Sequence, residues 1–116
     1  MYTLAPALIG HLVGDFILQN DWMAENKKKK SLPCLIHCVI YSLTVMVFAG
    51  WWFIEAFLIL FISHYALDRT TIVLDIMKWK GSKKFATGML SPWSIVAVDN
   101  TIHIFFIWLI WRVFII

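Results

Sequence analysis

Charge is scarce in this chain of 116 residues: lysine, arginine, aspartate and glutamate make up 15% of it, while hydrophobic residues make up 61%. Mean hydropathy is +0.79. A soluble domain of this length has too little interior to hide so much apolar surface, so a soluble or disordered chain is excluded and an integral membrane protein follows. Cysteine is almost missing as well. Cys34 and Cys38 share one apolar run at helical spacing, where a disulfide would distort the backbone, and they read as reduced packing residues. Their place on either side of His37 keeps a thiol ligand role as the lesser reading. No stretch resembles a linker or a low-complexity tail, no internal repeat stands out, and no serine or cysteine is paired with a base as a nucleophile needs.

What is there are four apolar stretches of roughly 20 residues, the length that crosses a hydrocarbon core of about 30 Å. They fall at 3–24, 33–50, 52–74 and 92–116. The sequence thus predicts an all-α fold, an integral-membrane four-helix bundle with short loops, occupying 1–116 as a single transmembrane domain. No basic residue precedes the first stretch and Gly14-Asp15 interrupts it, so it reads as a retained span and not a cleaved signal peptide. Gly10 and Gly14 have the spacing that lets a neighbouring helix approach closely. Pro33 suits a first helical turn, Gly50 a helix end, and Ser91-Pro92 an N-cap followed by the first turn of the last span. The connection from 75 to 91 mixes lysines with Ile76, Met77, Trp79, Phe85 and Met89, the pattern of an interfacial helix, interrupted at Gly81 and Gly88.

Eight of the ten basic residues are lysines in two loops: Lys27, Lys28, Lys29 and Lys30, then Lys78, Lys80, Lys83 and Lys84. In a four-span chain both loops lie on one side. The positive-inside rule makes that side cytoplasmic and puts both termini outside, with Met1-Tyr2 and Arg112 facing out. The lysines would also attract anionic lipid headgroups. The run Lys27 to Lys30, lacking interleaved aromatics, is weak evidence for nucleic acid, and no nucleic-acid partner is expected. Trp51, Trp52, Trp108 and Trp111 fall near the outer end, as an aromatic belt does.

Each of the four histidines lies in an apolar run with a polar partner four residues away: His11/Asp15, His37/Tyr41, His64/Asp68 and Asp99/His103. Residues at i and i+4 share a helix face, so four helices would aim their pairs at one shared site. A charged group at mid-bilayer costs roughly 2.5–3.5 kcal/mol on insertion scales, and this chain carries several. A bound cation would offset that cost. Counting inward from the lysine side puts the pairs in one layer in the cytoplasmic half, with His11 deepest and His37/Tyr41 nearest the cytosol. Imidazole with carboxylate favours zinc or manganese, with iron also suited, over calcium or magnesium. His11, Asp15, His37, His64, Asp68, Asp99 and His103 are more ligands than one zinc takes, leaving room for one or two ions or for some histidine–aspartate pairs to orient others. A metal-free polar network that fixes helix register is the plainer alternative. Gln19, Tyr41 and Arg69 stand beside this layer as groups that orient ligands or touch substrate, with an ordinary interface role for Arg69 pointing towards Asp75 or a lipid phosphate.

The run His11-Leu-Val-Gly-Asp15-Phe-Ile-Leu-Gln19, then Met23-Ala-Glu-Asn-Lys27, His37-x3-Tyr41, Ser63-His64-Tyr-x2-Asp68 and Asp99-x3-His103 resembles a family of small bacterial and phage membrane proteins catalogued as domain of unknown function 3307. Almost the whole chain takes part. Where that pattern carries glutamine this chain has Asn100, which leaves Asp99 and His103 in place. The resemblance implies a multi-pass protein of a bacterial, or phage-infected host, cytoplasmic membrane, and no settled activity. A more distant similarity to membrane-bound metal-dependent hydrolases is one of fold alone.

Three functions remain open on these grounds. A metal-dependent hydrolase would use Asp15, His64 and Asp99 as catalytic residues on a lipid or polyprenyl-phosphate substrate at the inner leaflet. A divalent metal-ion or proton transporter would need a polar path through the outer half, where residues 58–61 and 104–107 are apolar. A phage factor binding a host membrane component would use the site only for stability. Membrane lipids are the expected partners, and so small a bundle leaves room for a homo-oligomer.

Overall fold

Pro6 in the first turn opens helix α1, Ala5–Leu12, which runs on into a π-helical turn at Val13–Ile17. The computed structural model describes residues 3–116; Met1 and Tyr2, expected on the outer face, lie outside the described residues. The π turn is marked by an i→i+5 hydrogen bond, Leu18 N donating to Val13 O at 3.0 Å. Asn20 then caps the short α2, Asp21–Asn26, its Oδ1 accepting from Met23 N at 2.9 Å. Helix α3, Ser31–Ala49, carries Pro33 in its first turn and stops at Gly50, whose left-handed φ of 71° lets its N–H reach Met46 O at 2.8 Å. The chain turns at once into α4, Ile54–Arg69.

Among the described residues every regular element is helical, as the composition predicts. The spans differ from four unbroken ones. The segment expected at 3–24 is an apolar helix of eight residues plus the five-residue π turn, about 20 Å at 1.5 Å per residue. The segment expected at 52–74 breaks at Thr70-Thr71, and α5, Ile72–Trp79, leaves α4 at 71°. The cause is local. Thr70 Oγ1 bonds back to Ala66 O and Thr70 adopts an extended backbone, ending α4. By length and composition α3 and the stretch Trp93–Ile115 can each cross a membrane, and α4 with α5 makes a third if counted as one broken span.

The expected interfacial stretch is two short helices, α5 and α6, Lys83–Thr87, parted at Gly81 with φ 87°. They are anchored rather than floating: Val73 and Met77 of α5 and Ala86 of α6 are buried with Leu67. Their outer residues, such as Ile76, Trp79 and Phe85, are exposed. Helix α7, Trp93–Ile110, continues as a π turn at Trp111–Ile115. Ser91 does not cap it, and the Ser91–Pro92 peptide is cis.

Helix α3 is the centre of the packing, against α1, α2 and α4, and α7 closes the bundle against α4, α1, α5 and α6. Gly10 makes the α1–α3 approach so close that a methyl group there would lie 2.9 Å from Val45 Cα. Two apolar cores result. One gathers Ala7, Val45, Met46, Ala49, Trp51, Ala56, Leu60, Ile107 and Ile110, the other Leu67, Val73, Met77 and Ala86. Trp51 is buried in the first, not in an aromatic belt, whereas Trp52 is exposed. Much of the outer surface is apolar, including Leu58, Ile62, Phe105 and Val113, far beyond what a water-soluble surface carries. Along α4, His64 falls between Leu60 of the first core and Leu67 of the second.

Candidate metal centre

His37 on α3 and His64 on α4 bring their Nε2 atoms to 2.8 Å from each other. Asp15, carried inward by the π turn, puts Oδ1 at 3.2 Å from His37 Nε2 and 3.5 Å from His64 Nε2. Asp68, one helical turn after His64, puts Oδ2 at 3.1 Å from both. All four side chains are buried. Ligands about 2.0–2.1 Å from a tetrahedral zinc stand about 3.3 Å from one another, since the edge of a tetrahedron is about 1.6 times its centre-to-corner distance. The five separations above scatter about that edge, so Asp15, His37, His64 and Asp68 can hold a metal ion. No hydrogen bond reaches the buried Asp15 Oδ1.

His64 is oriented by stacking. Its ring lies against Tyr41 at 3.7 Å between centroids and 19° between planes, and against His103 on the other side at 4.1 Å and 29°. His103 Nε2 in turn lies 3.4 Å from Asp68 Oδ1 and 3.3 Å from Asp99 Oδ2. Asp15, Asp99 and His103 offer a further group of donor atoms, all within 4.8 Å of one another.

His11 stands outside both groups. Asn100 Nδ2 donates to Val96 O at 2.8 Å, which turns Asn100 Oδ1 towards His11. His11 Nε2 donates to that oxygen at 2.8 Å, leaving Nδ1 to accept from Tyr41 Oη at 2.8 Å. Both ring nitrogens are used. The i,i+4 rule places His11 and Asp15 on one face only in a regular α-helix, and the π turn between them breaks that register. His11 therefore holds Tyr41, which holds His64. His37, expected at the cytosolic entrance, is fully buried in the centre instead.

Gln19 donates to the main-chain oxygen of Asp15 at 3.2 Å and so steadies the π turn, not the carboxylate. Arg69 donates to Lys28 O at 2.7 Å, and Asp75 accepts from Thr71, so the two do not meet. Lys28 Nζ returns the contact by donating to the carbonyls of Leu67, Asp68 and Thr70 at the end of α4. Cys34 and Cys38 are free thiols, buried, with sulfurs 3.9 Å apart.

Two residues enter the site that sequence reasoning did not place there. Asn100 is one; its polar side chain inside an apolar run was the available signal. Lys27 is the other. Its Nζ meets Asp68 Oδ2 at 2.8 Å across 41 positions of sequence, for which no local signal exists. Burial alone would lower the Lys27 pKa, but the Asp68 charge and hydrogen bond outweigh it and hold the ammonium above the usual lysine value. A cavity of about 160 Å³ opens beside this pair, lined by Lys27, Lys28, Asp68, Val73, Ile95, Val96 and Asp99.

A family model described as protein of unknown function (DUF3307) matches residues 3–116. The chain belongs to that family. No curated protein and no solved structure matches it. In this DUF3307 chain the site itself carries the chemistry: two imidazoles and two carboxylates from the π turn, α3 and α4, with His103 and Asp99 of α7 alongside.

Proposed function

We propose that this chain is a multi-pass, four-helix membrane protein that holds a divalent metal, zinc or manganese, and hydrolyses a lipid- or polyprenyl-phosphate type bond at the inner leaflet. The observation that carries the reading is the spacing of the Asp15, His37, His64 and Asp68 donor atoms, buried and close to the edge of a metal tetrahedron. A metal there supplies a polarised phosphoryl oxygen and an acidified water. His64 and Asp15 hold it. Asp99, on the cavity wall and about one-fifth exposed, accepts the proton of the attacking water. The cavity reaches Asp68 past Lys27 and Lys28, so an anionic headgroup is drawn in from the lysine side, which the positive-inside rule makes cytoplasmic. A transporter would need polar groups through the other half of the bundle, where Trp51, Leu60, Ile107 and Ile110 fill the interior.

Elemental analysis of the detergent-purified chain tests the first part. About one equivalent of zinc or manganese is expected, lost in His64→Gln and Asp15→Asn. Metal near zero, and the same in wild type and variants, would sink the reading. Proteoliposomes test the second part, with release of phosphate from lipid-linked phosphates expected to stop on chelation. Metal uptake without turnover would assign the site to transport.

A further inference from the structure

Asp68 has a second side. While Oδ2 faces His37 and His64, Oδ1 lies 3.4 Å from His103 Nε2, which is 3.3 Å from Asp99 Oδ2. These separations again match the edge of a coordination tetrahedron of about 3.3 Å. His103 is 2% exposed, and its Nε2 has no hydrogen-bond partner although two carboxylates flank it. Asp15 completes the group, its donor atom within 4.8 Å of those of Asp99 and His103.

The charges around this second position constrain what can fill it. Three carboxylates, Asp15, Asp68 and Asp99, face one ammonium in contact, Lys27. With neutral imidazoles the formal balance is two negative charges, which one divalent ion cancels. A second ion leaves two positive charges in a poorly solvated interior, a costly arrangement unless an anion arrives with it. The cavity offers the place. It adjoins Asp68 and Asp99, carries Lys27 and Lys28 on its wall, and at about 160 Å³ holds roughly five water volumes, enough for a phosphate group.

We propose that Asp15, Asp68, Asp99 and His103 bind a second divalent ion that shares Asp15 and Asp68 with the first, and that this ion loads together with a phosphate-type anion in the cavity beside Lys27 and Lys28. The proposal rests on the metal-binding reading above and adds to it a linkage between metal count and anion. Asp68, which faces one oxygen to each position, would with Asp15 hold both ions, and the two together would supply the charge stabilisation of two-metal phosphoryl chemistry.

The test uses the full chain in detergent, equilibrated with manganese, with and without inorganic phosphate, then desalted and read by elemental analysis and electron paramagnetic resonance. One manganese per chain is expected without phosphate. With phosphate two are expected, with the exchange-coupled spectrum of a close pair. Asp99→Asn should stay at one ion in both conditions, with an uncoupled spectrum and helical content unchanged by circular dichroism. Two ions without phosphate would overturn the linkage, and one ion at saturating phosphate would overturn the second site while leaving the first intact. A second coupled ion in Asp99→Asn would overturn the ligand assignment. No ion in any condition would overturn this inference and the metal reading together.

Discussion

Replacing Gly10 with alanine probes whether α1 presents Asp15 to the metal centre. The new methyl would lie 2.9 Å from Val45 Cα, 3.0 Å from Phe48 Cβ and 3.2 Å from Thr44 O. Carbon atoms settle at about 3.5–4.0 Å, so α1 must retreat from α3 by roughly 0.6–1.1 Å. Two of the three obstacles are backbone atoms, which cannot rotate away. Overpacking costs about 1–3 kcal/mol, against a gain of up to about 1 kcal/mol from replacing glycine in a helix, so a net loss of about 1–2 kcal/mol is expected. The same retreat carries Asp15 Oδ1 from 3.2 and 3.5 Å to roughly 4 Å or more from the two imidazoles, well outside the few tenths of an ångström a metal site tolerates. Thermal unfolding in detergent by circular dichroism and metal titration measure the two effects. Gly10→Ala should lower the melting temperature and weaken metal binding at least tenfold. Gly14→Ala, whose nearest obstacles lie at 3.2 and 3.3 Å, should cost less. An unaltered melting temperature and affinity in Gly10→Ala would refute the close α1–α3 approach and the role it gives Asp15.

Lys27→Met removes the ammonium on Asp68, and the metal-free protein should lose about 1–3 kcal/mol, regained on adding manganese. Because the folded-state Lys27 pKa is raised above 10.5, its contribution is fully present below the ordinary lysine value and is lost as pH rises through the raised one. Metal-free wild type should therefore lose stability in strongly alkaline solution by a step that Lys27→Met lacks; identical alkaline profiles would contradict the pair. Tyr41→Phe deletes the hydroxyl that donates to His11 while keeping the ring stacked on His64, so melting should fall by the equivalent of about 1–2 kcal/mol with metal content unchanged, and loss of the metal would show that Tyr41 does more than position His64.

Helix α3 was legible because Pro33 and Gly50 bracket an unbroken apolar run, and α7 because its apolar run is long. The shortening of the first span was not, since a π turn leaves no compositional mark. The break at Thr70 has a weak signal, the four β-branched residues Thr70 to Val73 following the polar pair Asp68-Arg69. The same division governs the site. His64/Asp68 and Asp99/His103 lie within regular α-helix, where the four-residue spacing holds. His11/Asp15 spans the π turn, and there the rule fails: Asp15 goes to His37 and His64, while His11 goes to Tyr41 and Asn100. Contacts across helices, such as Lys27 to Asp68, depend on packing that a single sequence does not encode locally.

On the proposed topology, the clasp between the first lysine loop and the end of α4 bears on how the chain acquires its orientation during insertion. Lys27 is committed to Asp68, Lys28 to three carbonyls of α4, and the Lys28 carbonyl to Arg69. Two of the four lysines in this loop, which the positive-inside rule reads as a topology signal, are thus taken up in holding the finished fold. Experiments that invert topology by neutralising or moving all four lysines would disrupt tertiary structure at the same time. Lys29 and Lys30, which lie exposed, are the positions at which the insertion signal can be altered apart from that clasp.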